Sequence, residues 1–373
     1  MEPSRDVGLH GVVSPIDDDL LQSIRSRAAG YDRDNAFFTE DLDELTAAGY
    51  LRPRPLLEAV RDQRLLAAHA PATALGVNMH LVWTTVALVL HDRGDDSLDW
   101  LLEEAESGEV FAFGISEPGN DQVLWDSRTT AVPTGDGGYA FTGTKVFTSM
   151  APAWTRLGVF GRDGDELVHG FLTRESPGWR ALDDWDTLGM RATQSRTTVL
   201  EGAVVPAERI VRRLPVGPNA DPFVFGVFSG FLLLIASVYA GIADRALELA
   251  VDGARRKTTL AGDPLSDDPD VRRRLAAAAL QLDALAPQIE SLARDVDEIA
   301  DHGARWFRLL TGTKHRSVET ARQVVDAAMR GAGGSGYSAA SELSRLQRDV
   351  LAGIYHPSST DSVHATVATD LFR

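Results

Sequence analysis

The chain reads as an α+β protein whose two kinds of structure are segregated: helices, then strands, then helices again. Three observations predict this. Apolar residues recur at spacings of three and four from about Asp17 to Glu109, short alternating or β-branched runs fill Phe111 to about Ile210, and helical periodicity returns after Pro215. A parallel sheet with crossover helices would require strands and helices to alternate, and they do not. The chain therefore divides into an N-terminal helical domain at 1–110, a middle β-domain at 111–212 and a C-terminal helical bundle at 213–373.

In the first block the segments LLQSIRSRAAG, DLDELTAAGY and the long run from Pro55 to Asp92 are helical, punctuated by Gly30, Gly49, Pro53, Pro55 and Pro71. In the second, RTTAVPT, YAFTGTKVFTS, RLGVFGR, ELVHGFLT and RTTVLEGAVVP are strands separated by Gly-Asp-Gly-Gly and Asp-Gly-Asp turns. In the third, ALELAVDGARR, a long run from Asp270 to Leu310 and SVETARQVVDAAMRG each carry a broad apolar stripe, with loops suited to antiparallel neighbours. Pro222–Ala243 has no charged residue and is long enough to cross a bilayer. Its helical periodicity continues through Asp244 and Arg245, and no basic cluster abuts it, so it is expected to be a buried bundle helix in which Gly226, Gly230, Ser237 and Gly241 admit close neighbours.

Composition narrows the functional classes. With 373 residues, 44% of them hydrophobic and 24% charged, the chain has the material for a large core. A net charge of -17 argues against nucleic acid as a partner. The absence of cysteine excludes disulfides, thiolate metal sites and thiol nucleophiles. His356, Asp361 and His364 lack the spacing of a closed metal site, so no metal is expected. The first residues show no basic segment followed by an apolar one, hence no secretory signal, and a cytoplasmic protein outside the membrane is the expectation.

The most informative stretch is Phe111–Ser149, where Ser116-Glu117-Pro118-Gly119 precedes a strand ending Lys145-Val146-Phe147-Thr148-Ser149. Three further segments accompany it: Leu188-Gly189-Met190-Arg191 before a strand ending Val205-Pro206, the run GAGGSGYS at 331–338, and the helix ELSRLQRDV. Together these resemble the acyl-CoA dehydrogenase superfamily over almost the whole chain. The resemblance implies an N-terminal helical domain, a middle β-barrel or sandwich and a C-terminal four-helix bundle enclosing FAD. It implies that Phe113, Ile115 and Ser116 meet the pyrimidine edge of the flavin, that Phe147 lies along its ring and that Ser149 bonds its reactive nitrogen. Arg256 would reach the pyrophosphate of a neighbouring subunit's FAD, and the turn carrying Gly333, Gly334 and Gly336 would pack against it, which implies a homodimer or homotetramer. Arg191 and His80 would line the substrate cavity. From the residues alone, Arg191 is equally an ion-pair partner of Asp184 or Asp186, Arg256 a helix-terminal cation, and His80 a satisfied core histidine.

The departures matter as much as the matches. The family's dehydrogenases place a catalytic glutamate shortly after the Arg-Asp helix. Here the chain reads Tyr355-His356-Pro357, and Phe231 stands near the alternative position for that base. His356 is the candidate catalytic residue, because an imidazole titrates near neutrality. The resemblance leads first to dehydrogenation of an acyl thioester carried on CoA or a carrier protein, with an electron-transfer flavoprotein as partner. It also fits the same-fold monooxygenases, which take reduced FAD or FMN from a flavin reductase and hydroxylate a small molecule. A relative without catalysis that binds through its cavity or its oligomer surface is the third reading.

Overall fold

The structure, a computed structural model, describes residues 14–259 and 261–372. Five helices come first: α1 (Asp18–Asp34), α2 (Thr39–Ala47), α3 (Leu56–His69), α4 (Pro71–His91) and α5 (Asp99–Glu106). Asp17 caps α1 by accepting the Leu20 N–H, and Pro71 opens α4 where a missing N–H costs nothing.

Eight strands follow: β1 (Phe111–Gly114), β2 (Thr130–Pro133), β3 (Tyr139–Thr148), β4 (Arg156–Asp163), β5 (Glu166–Thr173), β6 (Trp179–Ala181), β7 (Arg196–Val205) and β8 (Ile210–Pro215). They form one sheet in the order β6-β7-β3-β2-β4-β5-β8, with β1 added parallel to β4. Only Thr130 and Arg162 join β2 to β4, and on either side of that seam the sheet encloses its own apolar core of Phe141, Trp154, Leu157, Val168, Leu200 and Val205. Gly170 of β5 lies against Val205 of β7, so the two halves of the sheet face each other. The boundary expected at 212 falls inside β8, where Arg212 and Arg213 pair with His169 and Val168 of β5.

The remaining helices are α6 (Pro222–Arg256), α7 (Pro269–Leu282), α8 (Leu285–Asp297), α9 (Arg305–Ala332), α10 (Glu342–Val350) and α11 (Thr360–Leu371). The run expected as one helix from Asp270 to Leu310 is three. Pro287 has no N–H to return to the Asp283 carbonyl, and the chain breaks at Asp283 and Ala284; a second break at Ile299 and Gly303, both left-handed, precedes α9. The apolar helix α6 is interior, with 83% of its most apolar 18-residue window buried, and so is α4. Gly226 and Gly230 let α6 settle on Val86 and Thr85 of α4, and Gly241 lies against Arg64 and Ala67 of α3. Trp83 of α4 donates to the Ala112 carbonyl of β1 at 2.8 Å, joining the helical core to the sheet.

Candidate active site

The end of β3 is irregular for a reason visible in its pairing. The register with β7 shifts between Lys145 and Thr148, and within this bulge Phe147 adopts φ 60°. A bulky residue in the left-handed region is a genuine outlier. Its ring is 58% exposed and meets the edge of Trp185 at a centroid distance of 6.3 Å, so neither burial nor a turn explains the conformation.

Phe147 is not alone. Among the described residues seven that are not glycine have positive φ, and five of these gather here: Asn35, Phe147, Met150, Met190 and Gln194. The Gln194 side-chain amide donates to the Asn35 carbonyl at 2.8 Å, the Asn35 side chain to the Trp185 carbonyl at 2.7 Å, and the Met150 N–H to the Thr193 carbonyl at 3.0 Å. Asn35 is the left-handed C-cap of α1, which asparagine adopts readily, but each of the other four costs about 1–2 kcal/mol, a concentration of strain that marks binding and catalytic sites.

A polar chain runs inward from the same place. The Ser149 hydroxyl lies 2.8 Å from that of Ser195, which lies 2.7 Å from that of Thr193, which donates to the Met190 carbonyl at 2.9 Å. The Met190 N–H in turn donates to Asp349 of α10 at 2.6 Å. Asp349 is buried; burial lifts its carboxyl to about 6 although Arg345 and the Met190 N–H pull the other way. Near it Tyr239 of α6 is fully buried, and the Tyr239 ring lies 5.8 Å from that of His356. Three interior atoms in this group, Tyr239 Oη, Asp349 Oδ2 and His356 Nε2, have no hydrogen-bond partner in the protein. Orphaned polar atoms of this kind are matched by ligand or water in a filled site.

Below the strand end lies a buried ion pair that sequence reasoning did not single out. Lys145 donates to Glu117 at 2.6 Å and to the Phe160 carbonyl at 2.7 Å. Burial alone would raise the Glu117 carboxyl, but the Lys145 charge and bonds from Lys145, Thr129 and the Arg128 N–H outweigh it and hold it at about 2. The pair ties the Ser116-Glu117-Pro118 turn to β3, as does the Val146 N–H donating to the Ser116 carbonyl at 2.9 Å. The signal was available: Lys145 shares the strand parity of Tyr139 and Phe141, which face the core.

The residues expected at the site divide. Ser116, Phe147 and Ser149 come together as described, with Ile115 buried beside them in sequence and Phe113 stacked on Phe231 at 6.0 Å. His80, expected at the substrate cavity, is corrected: its Nε2 meets the Leu51 carbonyl at 2.6 Å and its Nδ1 accepts the Phe111 N–H at 3.1 Å, so both ring nitrogens serve the backbone. Arg191 likewise is engaged within the protein, by Asp186 at 2.7 Å and by the carbonyls of Asp32 and Thr187, which leaves its guanidinium a structural clamp. Arg256 is exposed at the end of α6. Gly333 and Gly334 open the next turn, which Lys257 joins to that end by donating to the Ala332 carbonyl and Ser335 hydroxyl; Gly336 is buried against Ala332. Among the described residues no hydrogen bond links this corner to the Ser116–Ser149 corner. His356 follows a short helical turn after α10; burial and the Lys314 ammonium hold its ring down to about 3, hence neutral.

Comparison with known proteins places this geometry. The family model described as "Acyl-CoA dehydrogenase, C-terminal domain" matches residues 233–360. The chain is 30% identical over 364 residues to the amino sugar nitrososynthase RubN8 of Streptomyces rubradiris, covering 89% of this chain and 82% of that one. The chain belongs to the acyl-CoA dehydrogenase superfamily. It is 27% identical to the putative acyl-CoA dehydrogenase YdbM of Bacillus subtilis over 95% of both chains. Among solved structures, KijD3 in complex with FMN and dTDP-3-amino-2,3,6-trideoxy-4-keto-3-methyl-D-glucose superposes with a TM-score of 0.83 at 26% identity, over 95% of this chain and 91% of that one. The chain is accordingly a flavin-dependent oxidoreductase of the acyl-CoA dehydrogenase fold. The residues at the β3 end fit a flavin: an apolar ring held out of the core by a strained backbone, beside a chain of buried hydroxyls.

Proposed function

We propose that the chain is a monooxygenase that uses reduced flavin, delivered by a separate reductase, to oxidise the nitrogen of a small amine. The observation that carries this reading is the setting of His356. A dehydrogenase must remove a proton next to a carbonyl, and a general base works best when its pKa lies near the working pH. An imidazole held at about 3 is a poor base, yet it offers one N–H and one lone pair at neutral pH. Of the buried carboxylates, Glu117 is committed to Lys145, and Asp349 spends one oxygen on the Met190 N–H and keeps the other unpartnered, while Phe231 occupies the alternative position for a base.

Phe147 would hold the isoalloxazine ring by stacking, and Ser116 and Ser149 by hydrogen bonds. When bound, reduced flavin supplies two electrons to O2, one of whose oxygens becomes the N–OH of the product while the other leaves as water. His356 would orient the amine through its free nitrogen. Burial and the Lys314 charge disfavour a second cation in the same enclosure, so the amine is received neutral, with its lone pair available. The name of RubN8, an amino sugar nitrososynthase, and that of the KijD3 complex support an amine substrate, and the latter supports FMN as the flavin. In a homodimer or homotetramer, Arg256 and the Gly333–Gly336 turn would serve the neighbour's flavin.

The test mixes the protein with flavin, a flavin reductase, NADH and a panel of primary amines in 18O2. Hydroxylamines gaining one labelled oxygen are the expected products. Bleaching of protein-bound FAD by an acyl-CoA without oxygen would instead establish a dehydrogenase.

A further inference from the structure

The chain contains only three lysines, Lys145, Lys257 and Lys314, although lysine and arginine together number 37. Where arginine is so strongly preferred, a lysine marks a place that needs a compact ammonium. Lys314 lies in the middle of α9, 3% exposed. It has no carboxylate partner among the described residues. Its three protons go instead to three main-chain carbonyls of one short segment: Gly353 at 3.0 Å, His356 at 2.8 Å and Ser358 at 2.9 Å. A buried ammonium is costly unless its donors are all used, and here one irregular segment uses them all.

That segment is the one that needs an anchor. The helical turn after α10 ends at Ile354, α11 begins at Thr360, and Pro357 contributes no N–H between them. We propose that Lys314 is a positioning residue for His356, gathering the carbonyls of residues 353–358 so that the ring is presented beside Tyr239 in one orientation. Gly353 is part of the arrangement: a side chain there would overlap the Tyr239 ring and Val318. The same ammonium acts on the imidazole through space, disfavouring its protonation. The proposal rests on the catalytic reading of His356, but the anchoring itself can be measured without flavin or substrate.

Two measurements on the flavin-free chain test it. In Lys314→Met, amide hydrogen exchange across residues 353–359 should accelerate at least tenfold while α9 and α10 keep their protection. Modification of His356 by diethyl pyrocarbonate at pH 6, read by peptide mass spectrometry, should accelerate by a similar factor. Because the chain has no cysteine, Lys314→Cys can be aminoethylated in denaturant and refolded, restoring an ammonium of nearly the same length. That product should return both rates to within about twofold of wild type. Unchanged exchange in Lys314→Met, acceleration spread evenly over α9 and α10, or no recovery on aminoethylation would each overturn the proposal. If Lys314→Met does not fold, Lys314→Gln, which keeps two donors, is read by the same measurements. Should the anchoring hold while His356→Ala still oxidises amines at the wild-type rate, the functional reading falls and the anchor stands.

Discussion

Phe147 is costly where it stands, and that cost is a measurable quantity. Glycine tolerates its φ of 60° freely, and the ring is mostly exposed, so Phe147→Gly should stabilise the fold by about 1 kcal/mol in denaturant melts. The same change should weaken flavin binding about fivefold by fluorescence titration, in line with about 1 kcal/mol for an aromatic contact. Stabilisation with unaltered affinity would remove Phe147 from the cofactor site. Glu117 presents the opposite case. Glu117→Ala leaves the Lys145 ammonium buried without its partner and should cost about 3–5 kcal/mol, whereas Glu117→Leu with Lys145→Met should recover only the part owed to the unpaired charge, because the Arg128 and Thr129 N–H groups still lack Glu117 as acceptor. Phe147 and Ser149 were legible as a motif because a resemblance named them. Met190 and Gln194 were not, since nothing in those residue types announces a left-handed backbone, and an asparagine such as Asn35 announces no more than the end of a helix. Lys314 was half-legible: it falls four residues after Leu310 and four before Val318, on the buried stripe of α9, but only the fold reveals the carbonyls it gathers.

At the scale of elements, α6 shows how glycine position decides its effect. Gly241 faces α3, where a methyl group would overlap the Arg64 carbonyl and Ala67; Gly253, near the end of the same helix, faces open space. Gly241→Ala should therefore destabilise by about 1–3 kcal/mol through overpacking. Gly253→Ala should stabilise by about 0.5–1 kcal/mol, because alanine is the better helix former. Equal effects in thermal melts would contradict the close approach of α3 and α6. The order of helices and strands could be read from periodicity, because the buried faces impose it. The division into α7 and α8 could not be read from the apolar stripe, which runs on unbroken while Pro287 interrupts the hydrogen bonding beneath it. The closing of one sheet over its own core depends on a single residue pair between β2 and β4, and pairing partners leave no trace in strand periodicity.

For the molecule as a whole, three histidines with depressed pKa shape the response to mild acid, before Glu117 and the other paired carboxylates titrate. His80 is held down to about 4, and His169 and His356 to about 3, all chiefly by burial. A group with a depressed histidine pKa takes up its proton near 6.5 when unfolded but not when folded, so stability is full above that value and falls as pH drops toward 4 and then 3. Asp41, Asp297 and Asp349, whose carboxyls burial raises, act in the opposite sense and soften the fall. His169 is the informative position, because its ring is stacked on Phe160 at 5.2 Å and neither nitrogen has a partner. His169→Phe should preserve the packing and reduce the slope of stability against pH between 6 and 4 by about 1.4 kcal/mol per pH unit. An unchanged slope would mean that the ring is protonated or hydrated in the folded protein. The bond from the Met190 N–H to Asp349 joins residues 159 positions apart, and Asn35 and Gln194 span the same distance. During synthesis, then, the strained strand end emerges long before α10 can steady it. A nascent chain halted in α9 would display the β3 end without its Asp349 support, so a flavin held as proposed would be loaded after translation rather than alongside it.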